Sequence, residues 1–343
     1  MSLIGSCYLL FRRANAFAPD VTPPVRLRRW TAVFFFAIAL CHLWYLPTCF
    51  LTSSDDVMLG NFIVVMLDCM TVIPLTIVVF LTMLQDRRRP LWPVAAMMAP
   101  LVLGFAWCTA THSDALLPVL VGYFLLMWLG LIIYMGCAIR QYGRWLRDNY
   151  ADLEHKEVWQ GFVIMGIILL LYVVYSIDVG DLIYEYAMEV IIIVLVCYLL
   201  WRVETLSDLS LPLDLPSSVP NRTTIAAVPA KNIGPLLKQF CEEPQLYLQY
   251  DISISQIAKL IGTNRSYLSK HFASEGITYN AYINGLRIQH FINLYHETVA
   301  TQQSVTALQL ARQSGFRSYS TFSAAFKQAK GMTVTEWMRD HAK

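Results

Sequence analysis

Charge is what this chain has least of. Only 15% of its 343 residues are Asp, Glu, Lys or Arg, against about 25% in ordinary soluble proteins, and the shortage falls mainly between residues 30 and 202. A soluble globular fold is thereby excluded for the first half. The eight cysteines (Cys7, Cys41, Cys49, Cys69, Cys108, Cys137, Cys197 and Cys241) stand singly, mostly inside apolar runs, so neither a zinc site nor a disulfide framework is read. Hydrolytic signatures are missing as well: there is no His-Glu-x-x-His, no Gly-x-Ser-x-Gly and no phosphate-binding loop. An enzyme is not expected, and no cofactor or metal is called for.

What is present is apolar length. A spanning helix needs about 20 mostly apolar residues, and the segments 30 to 51, 58 to 84, 91 to 111, 116 to 139, 159 to 178 and 183 to 202 approach this. Lipid offers backbone groups no partners, so each segment must be a helix. The expected fold class is all-α: a polytopic transmembrane bundle of six spans, preceded by a short apolar segment from Leu3 to Phe11 that is too short to cross. Basic residues then set the orientation. Arg12, Arg13, Arg26, Arg28 and Arg29 precede the first span, Arg87 to Arg89 follow the second, and Arg140, Arg144, Arg147 and Lys156 follow the fourth. The alternate loops contain neither Lys nor Arg, so the positive-inside rule puts both termini in the cytoplasm, with the chain in the cytoplasmic membrane.

A few polar residues sit inside these spans. The 1.5 Å helical rise puts His42 and Asp68 at a similar depth, roughly 14 to 15 Å below the outer surface. An ionised Asp there costs roughly 2.5 to 3.5 kcal/mol, so Asp68 needs a partner, and His42 is the nearest by depth. The pair reads either as a ligand pocket or proton-sensitive switch, or as a hydrogen bond that orders the bundle. Asp178, Asp181, Glu185 and Glu189 form an acidic rim that could receive a cation or amine, or a solvated loop. His42, Asp68, Asp178, Asp181 and Glu189 are the candidate sensor residues. Asp178-Val179-Gly180-Asp181 matches the Gly-x-Gly-Asp signature of intramembrane aspartyl proteases only in part, because the first Gly is absent.

Four domains follow: an interfacial segment 1–29, the bundle 30–203, a linker 204–230 with Pro212, Pro216, Pro220 and Pro229, and a soluble helical domain 231–343. This last domain has twelve Lys and Arg against seven Asp and Glu, a modestly basic balance that suits a polyanion. It also holds one pattern twice. Ile257-Ala258, Gly262, Leu268 and Phe272 recur as Leu310-Ala311, Gly315, Phe322 and Phe326, the second copy lying 53 residues later at its Ala. In each copy an apolar pair precedes a turning Gly and two apolar residues one helical turn apart, as in a helix-turn-helix unit.

Caps sharpen the helices. Ser253 with Gln256 opens Ile254 to Ile261, Asn264 opens Arg265 to Ser274, a spacer helix runs from Tyr279 to about His296, and the second unit spans Ser304 to Ser314 and Ser318 to Lys330. A capping box from Thr333 to Glu336 starts a last helix that buries Trp337. With Leu268 and Phe272 inward, Arg265, Ser266, Ser269 and Lys270 point out. With Phe322 and Phe326 inward, Ser320, Thr321, Ser323, Ala324 and Lys327 do.

The segment from about Leu246 to Arg339 resembles the double helix-turn-helix DNA-binding domain of AraC/XylS-type transcription regulators. The likeness rests on Ile257-Ala258, Tyr267-Leu268-Ser269, Phe272, Gly276, Tyr282, Leu286-Arg287, Gly315-Phe316, Ser318, Phe322, Phe326-Lys327 and Gly331-Met332-Thr333. It implies that both reading helices enter successive major grooves about 34 Å apart. Base contacts then fall to Ser266, Ser269, Lys270, Ser320, Thr321, Ser323 and Ala324, with Arg265 and Lys327 on phosphates. Two positions depart from the family: Val334 replaces a usual Pro, and Ala324 replaces a longer polar residue and offers only a methyl group. The first unit is therefore expected to carry most of the discrimination. The membrane half resembles the multi-spanning regions of some AraC-type regulators in architecture alone.

The expected function is a membrane-embedded one-component transcription regulator. Its partners would be promoter DNA, the lipid bilayer, an unidentified small-molecule effector and a second copy of the chain as a homodimer. The alternatives are a membrane transporter with a regulatory tail, and a tail that binds protein and has lost DNA.

Overall fold

A computed structural model of the chain describes residues 1–12, 14–19, 21–44, 46–111, 113–164, 166–167, 182–209, 233–301 and 305–341. Among the described residues the structure is helical apart from turns, and the one β-pairing is an isolated antiparallel bridge between Tyr150 and Ser253. The chain divides into two compact units, Met1–Tyr142 with His155–Leu211, and Gly143–Glu154 with Pro212–Lys343.

The first unit contains α1 (Ser2–Phe11), α2 (Val25–Trp44), α3 (Ser54–Met83), α4 (Trp92–Thr111), most of α5 (Leu117–Asn149) and α6 (Leu182–Thr205). The N-terminal apolar segment is a packed helix. The Ser6 hydroxyl donates to Ala32 O at 2.8 Å, and Gly5 is so close to α2 that a Cβ there would meet the Phe35 ring at 3.0 Å. The guanidinium of Arg12, just beyond α1, pairs with the buried Glu204 carboxylate at 3.0 Å.

Val25–Thr48, Trp92–Thr111 and Leu117–Asn149 are long and apolar enough to cross a membrane, and Ser2–Phe11 and Met70–Met83 are shorter apolar helices. Three of the six expected spans thus have support among the described residues. The expected spans at 58 to 84 and 183 to 202 coincide with the helices α3 and α6, while most of 159 to 178 lies outside the described residues. The linker at 204–230 is likewise outside them from residue 210 onward.

One expectation needs correction. Arg140, Arg144 and Arg147 do not occupy a loop after a span ending near 139, because α5 continues unbroken to Asn149. Ala138, Tyr142, Leu146 and Tyr150 are all buried and stand four residues apart. That spacing forms an apolar stripe along one helix face, which the hydrophobic run ending at residue 139 concealed.

In the second unit, α7 (Ile233–Leu237) widens into a π-turn over Lys238–Glu242 and is followed by α8 (Ile254–Leu260), α9 (Arg265–Ser274), α10 (Tyr279–Ala300), α11 (Ala307–Gln313), α12 (Tyr319–Lys330) and α13 (Val334–Asp340). Two cores lie in succession along α10. Its first half gives Tyr279 and Ile283 to a core with Ile257, Ala258, Leu268 and Phe272; its second half gives Phe291 and Tyr295 to one with Leu310, Ala311, Phe322, Phe326 and Trp337. Burial of each large apolar side chain contributes roughly 1.5–3 kcal/mol, so each unit has its own hydrophobic support.

Between the cores lies Arg287, which is 1% exposed. Its Nε donates to Tyr247 O at 2.7 Å, its Nη2 donates to Gln249 O at 2.7 Å and Tyr250 O at 3.2 Å, and its guanidinium lies 5.5 Å from the Phe316 ring centroid. Burial lowers its pKa to about 10, against the pull of Asp152 and Asp251, so it remains charged at neutral pH.

Candidate nucleic-acid interface

Local chemistry opens both outward helices. Asn264 caps α9 by accepting from Tyr267 N at 3.0 Å, and Ser318 caps α12 by accepting from Thr321 N at 3.3 Å. The capping boxes expected at Ser253/Gln256 and Thr333/Glu336 are formed, and a third, Thr306/Gln309, opens α11. α11 therefore starts at Ala307, later than the Ser304 expected, and α10 reaches Ala300, a full turn beyond His296. Ser304 itself is outside the described residues.

With Leu268 and Phe272 buried in the core, α9 leaves Arg265, Ser266 and Lys270 exposed and Ser269 half-buried. With Phe322 and Phe326 buried, α12 leaves Ser320, Ala324 and Lys327 exposed and Thr321 and Ser323 half-buried. The two sets stand on two helices, each anchored in its own core. Two hydroxyls of the second set are already engaged: Thr321 Oγ1 lies 2.9 Å, and Ser320 Oγ 3.1 Å, from Ser318 Oγ. Arg317 is drawn towards carboxylates, with Nη1 3.7 Å from Asp251 and 4.0 Å from Asp152.

Sequence reasoning missed a neighbour of α9. The last turns of α5 lie beside it, with the Arg265 guanidinium 5.6 Å from the Trp145 ring centroid. Asp148 lines a small cavity of about 60 Å³ with Ser269, Phe272, Ala273, Ile277 and Tyr279. Burial raises the Asp148 carboxyl pKa, and Arg147, Arg144 and Arg265 oppose that rise. The available signal was the four-residue stripe through Tyr142, Leu146 and Tyr150.

Of the candidate sensor residues, His42 Nδ1 is 3.7 Å from Glu189 Oε1 of α6, both half exposed. Asp68 belongs to α3, but its side chain is not described, and Asp178 and Asp181 are outside the described residues. An apolar cavity of about 750 Å³ opens between α2, α3 and α4, lined by Trp30, Trp44, Pro74, Leu75, Val78 and Met98 among others.

Comparison with known proteins bears on the second unit. Residues 257–340 match the family described as helix-turn-helix domain. Over 105 residues, 30% of the chain, the sequence is 30% identical to an uncharacterized HTH-type transcriptional regulator of Staphylococcus aureus strain MRSA252. It is 29% identical over the same length to one of strain COL. These stretches cover 13% of the relatives, so the chain matches only a small part of each. No solved structure matches the chain. The class thus defined is a helix-turn-helix domain of the kind found in transcriptional regulators, occupying the C-terminal part of an all-α chain.

Proposed function

We propose that this protein is a membrane-embedded one-component transcription regulator. Its second unit binds promoter DNA in a sequence-specific way on the cytoplasmic face, and its apolar unit senses a signal in or across the bilayer. The observation that carries this reading is the pair of capped helices, α9 and α12, each presenting a polar outer face from its own core along α10. An α-helix is the element that fits the major groove, and Lys270 and Lys327 are exposed where phosphates or base edges would be met. Ser266, Ser269 and Lys270 read bases in the first unit; Ser320, Thr321, Ser323 and Ala324 face the second half-site; Arg265 and Lys327 hold phosphates.

Sensing is assigned to the apolar unit, where His42, Asp68, Asp178, Asp181 and Glu189 are the candidate groups. An effector acts by binding two conformations unequally, and a homodimer would place two readers on one operator. The test is selection from a random DNA pool by the full chain in lipid nanodiscs. The expected outcome is an enriched site with two half-sites about one helical turn apart. Lys270→Ala should weaken binding to that site much more than to random DNA. An unenriched pool would overturn the reading.

A further inference from the structure

We propose that the last turns of α5 form an inhibitory cap on the first reading helix, keeping it out of the DNA groove until they are displaced. This rests on the DNA-binding reading above and adds the regulation of that same surface.

The contact is stripe against stripe. Trp145 and Asp148, three residues apart, share a face of α5, and Arg265, Ser269 and Ala273, four apart, share a face of α9. Trp145 faces the Arg265 guanidinium, and Asp148 shares a cavity with Ser269 and Ala273. One assigned phosphate contact, Arg265, which is otherwise exposed, and one assigned base reader, the half-buried Ser269, therefore meet the end of α5, while Ser266 and Lys270 lie exposed on the adjoining stripe. Space makes the two states exclusive. The major groove is about 12 Å wide, and one helix with its side chains measures about 10–12 Å across. α9 fills that groove alone and cannot enter it with α5 on its Ser269 flank.

The segment after α5 is fixed in place. Ala151 is buried in the first core, its N–H donates to Ile252 O at 3.2 Å, and Asn280 Nδ2 donates to Ala151 O at 2.6 Å. Tethered at that point, the cap stays at high effective concentration beside α9 and acts as a competitor built into the chain. Because α5 is one uninterrupted helix from Leu117, the cap is also the direct continuation of an apolar helix.

The experiment uses the full chain in nanodiscs of phosphatidylethanolamine and phosphatidylglycerol with the duplex obtained by selection, read by fluorescence anisotropy. Trp145→Ala leaves net charge unchanged and should tighten binding about three- to tenfold, the scale of a lost cation–π contact with its packing. Trp145→Ala with Asp148→Asn should tighten it further. Unchanged or weaker binding by both variants would overturn the cap and make this end of α5 a platform for α9. Hydrogen exchange on the wild-type chain avoids any folding defect of the variants. Amides 143–149 should exchange faster once DNA is bound, and equal or slower exchange overturns the proposal. If neither wild type nor variants prefer any DNA sequence, the DNA-binding reading fails and the cap falls with it. Specific binding with no response to the variants removes the cap alone.

Discussion

The two helix-turn-helix units share a pattern but solve their turns differently. Gly262 and Gly315 both take left-handed backbone, with φ of +73° and +85°. A Cβ on Gly262 would meet open space, whereas one on Gly315 would come within 2.7 Å of Leu248 Cα and 2.8 Å of Leu248 O. The second turn is thus keyed against the loop that also accepts the Arg287 hydrogen bonds. The reading faces differ as well: α9 offers Arg265, Ser266, Ser269 and Lys270, while α12 offers Lys327 and otherwise small side chains, two of them bonded to its own cap. Matching sequence patterns can therefore specify one unit whose turn is locked against a loop and another whose reading helix carries the longer polar side chains.

The sharpest way to break this comparison is to substitute the two glycines. Gly315→Ala adds a backbone clash to left-handed strain and should cost about 3 kcal/mol or more, whereas Gly262→Ala should cost about 1 kcal/mol. Hydrogen-exchange protection in α11 and α12 against that in α8 and α9 measures the difference, and equal losses would mean that the Leu248 contact yields. Arg287→Met ranks next, because it strands the Tyr247, Gln249 and Tyr250 carbonyls. It should cost about 2–4 kcal/mol and lower protection in both cores, whereas a loss confined to one core would show that Arg287 does not couple them.

Function gives the third comparison. Lys270→Ala should cost roughly 1–3 kcal/mol of binding to the preferred duplex, and Ala324→Ser less than about 0.5 kcal/mol. Titrations of both variants on specific and random duplexes decide between base and phosphate contact, and equal loss on the two would assign Lys270 to phosphate. The caps give the last comparison. Asn264→Ala and Ser318→Ala should each cost about 1 kcal/mol, but only Ser318→Ala frees Ser320 and Thr321. It alone should shift the sequence preference at the second half-site, as read by repeating the selection with each variant.

Much of the second unit was legible because its signals are local. Ser253 and Gln256, Asn264, Ser318, and Thr333 and Glu336 satisfy backbone groups within a turn of themselves, so reading the residues is enough to place the helix starts. The inward pairs Leu268/Phe272 and Phe322/Phe326 follow from helical periodicity in the same way, and their orientation fixes which residues face outward. In the apolar half, composition alone sufficed for long helices but could not give their partners. Depth along an axis pairs His42 with Asp68, whose side chain lies outside the described ones, but it gives no sign of the Glu189 carboxylate that α6 brings within 3.7 Å of His42.

What the sequence determined by itself, then, was the helical content, the caps and the outward polar faces, all governed by interactions within about four residues. Tertiary structure alone decided that Arg287 spans 40 residues to reach Tyr247, that Gly315 abuts Leu248, and that Trp145 and Asp148 come to lie on α9 more than a hundred residues away. Each of these contacts depends on which apolar faces are buried together when the chain closes, and that choice minimises exposed surface over the whole unit instead of over any one turn.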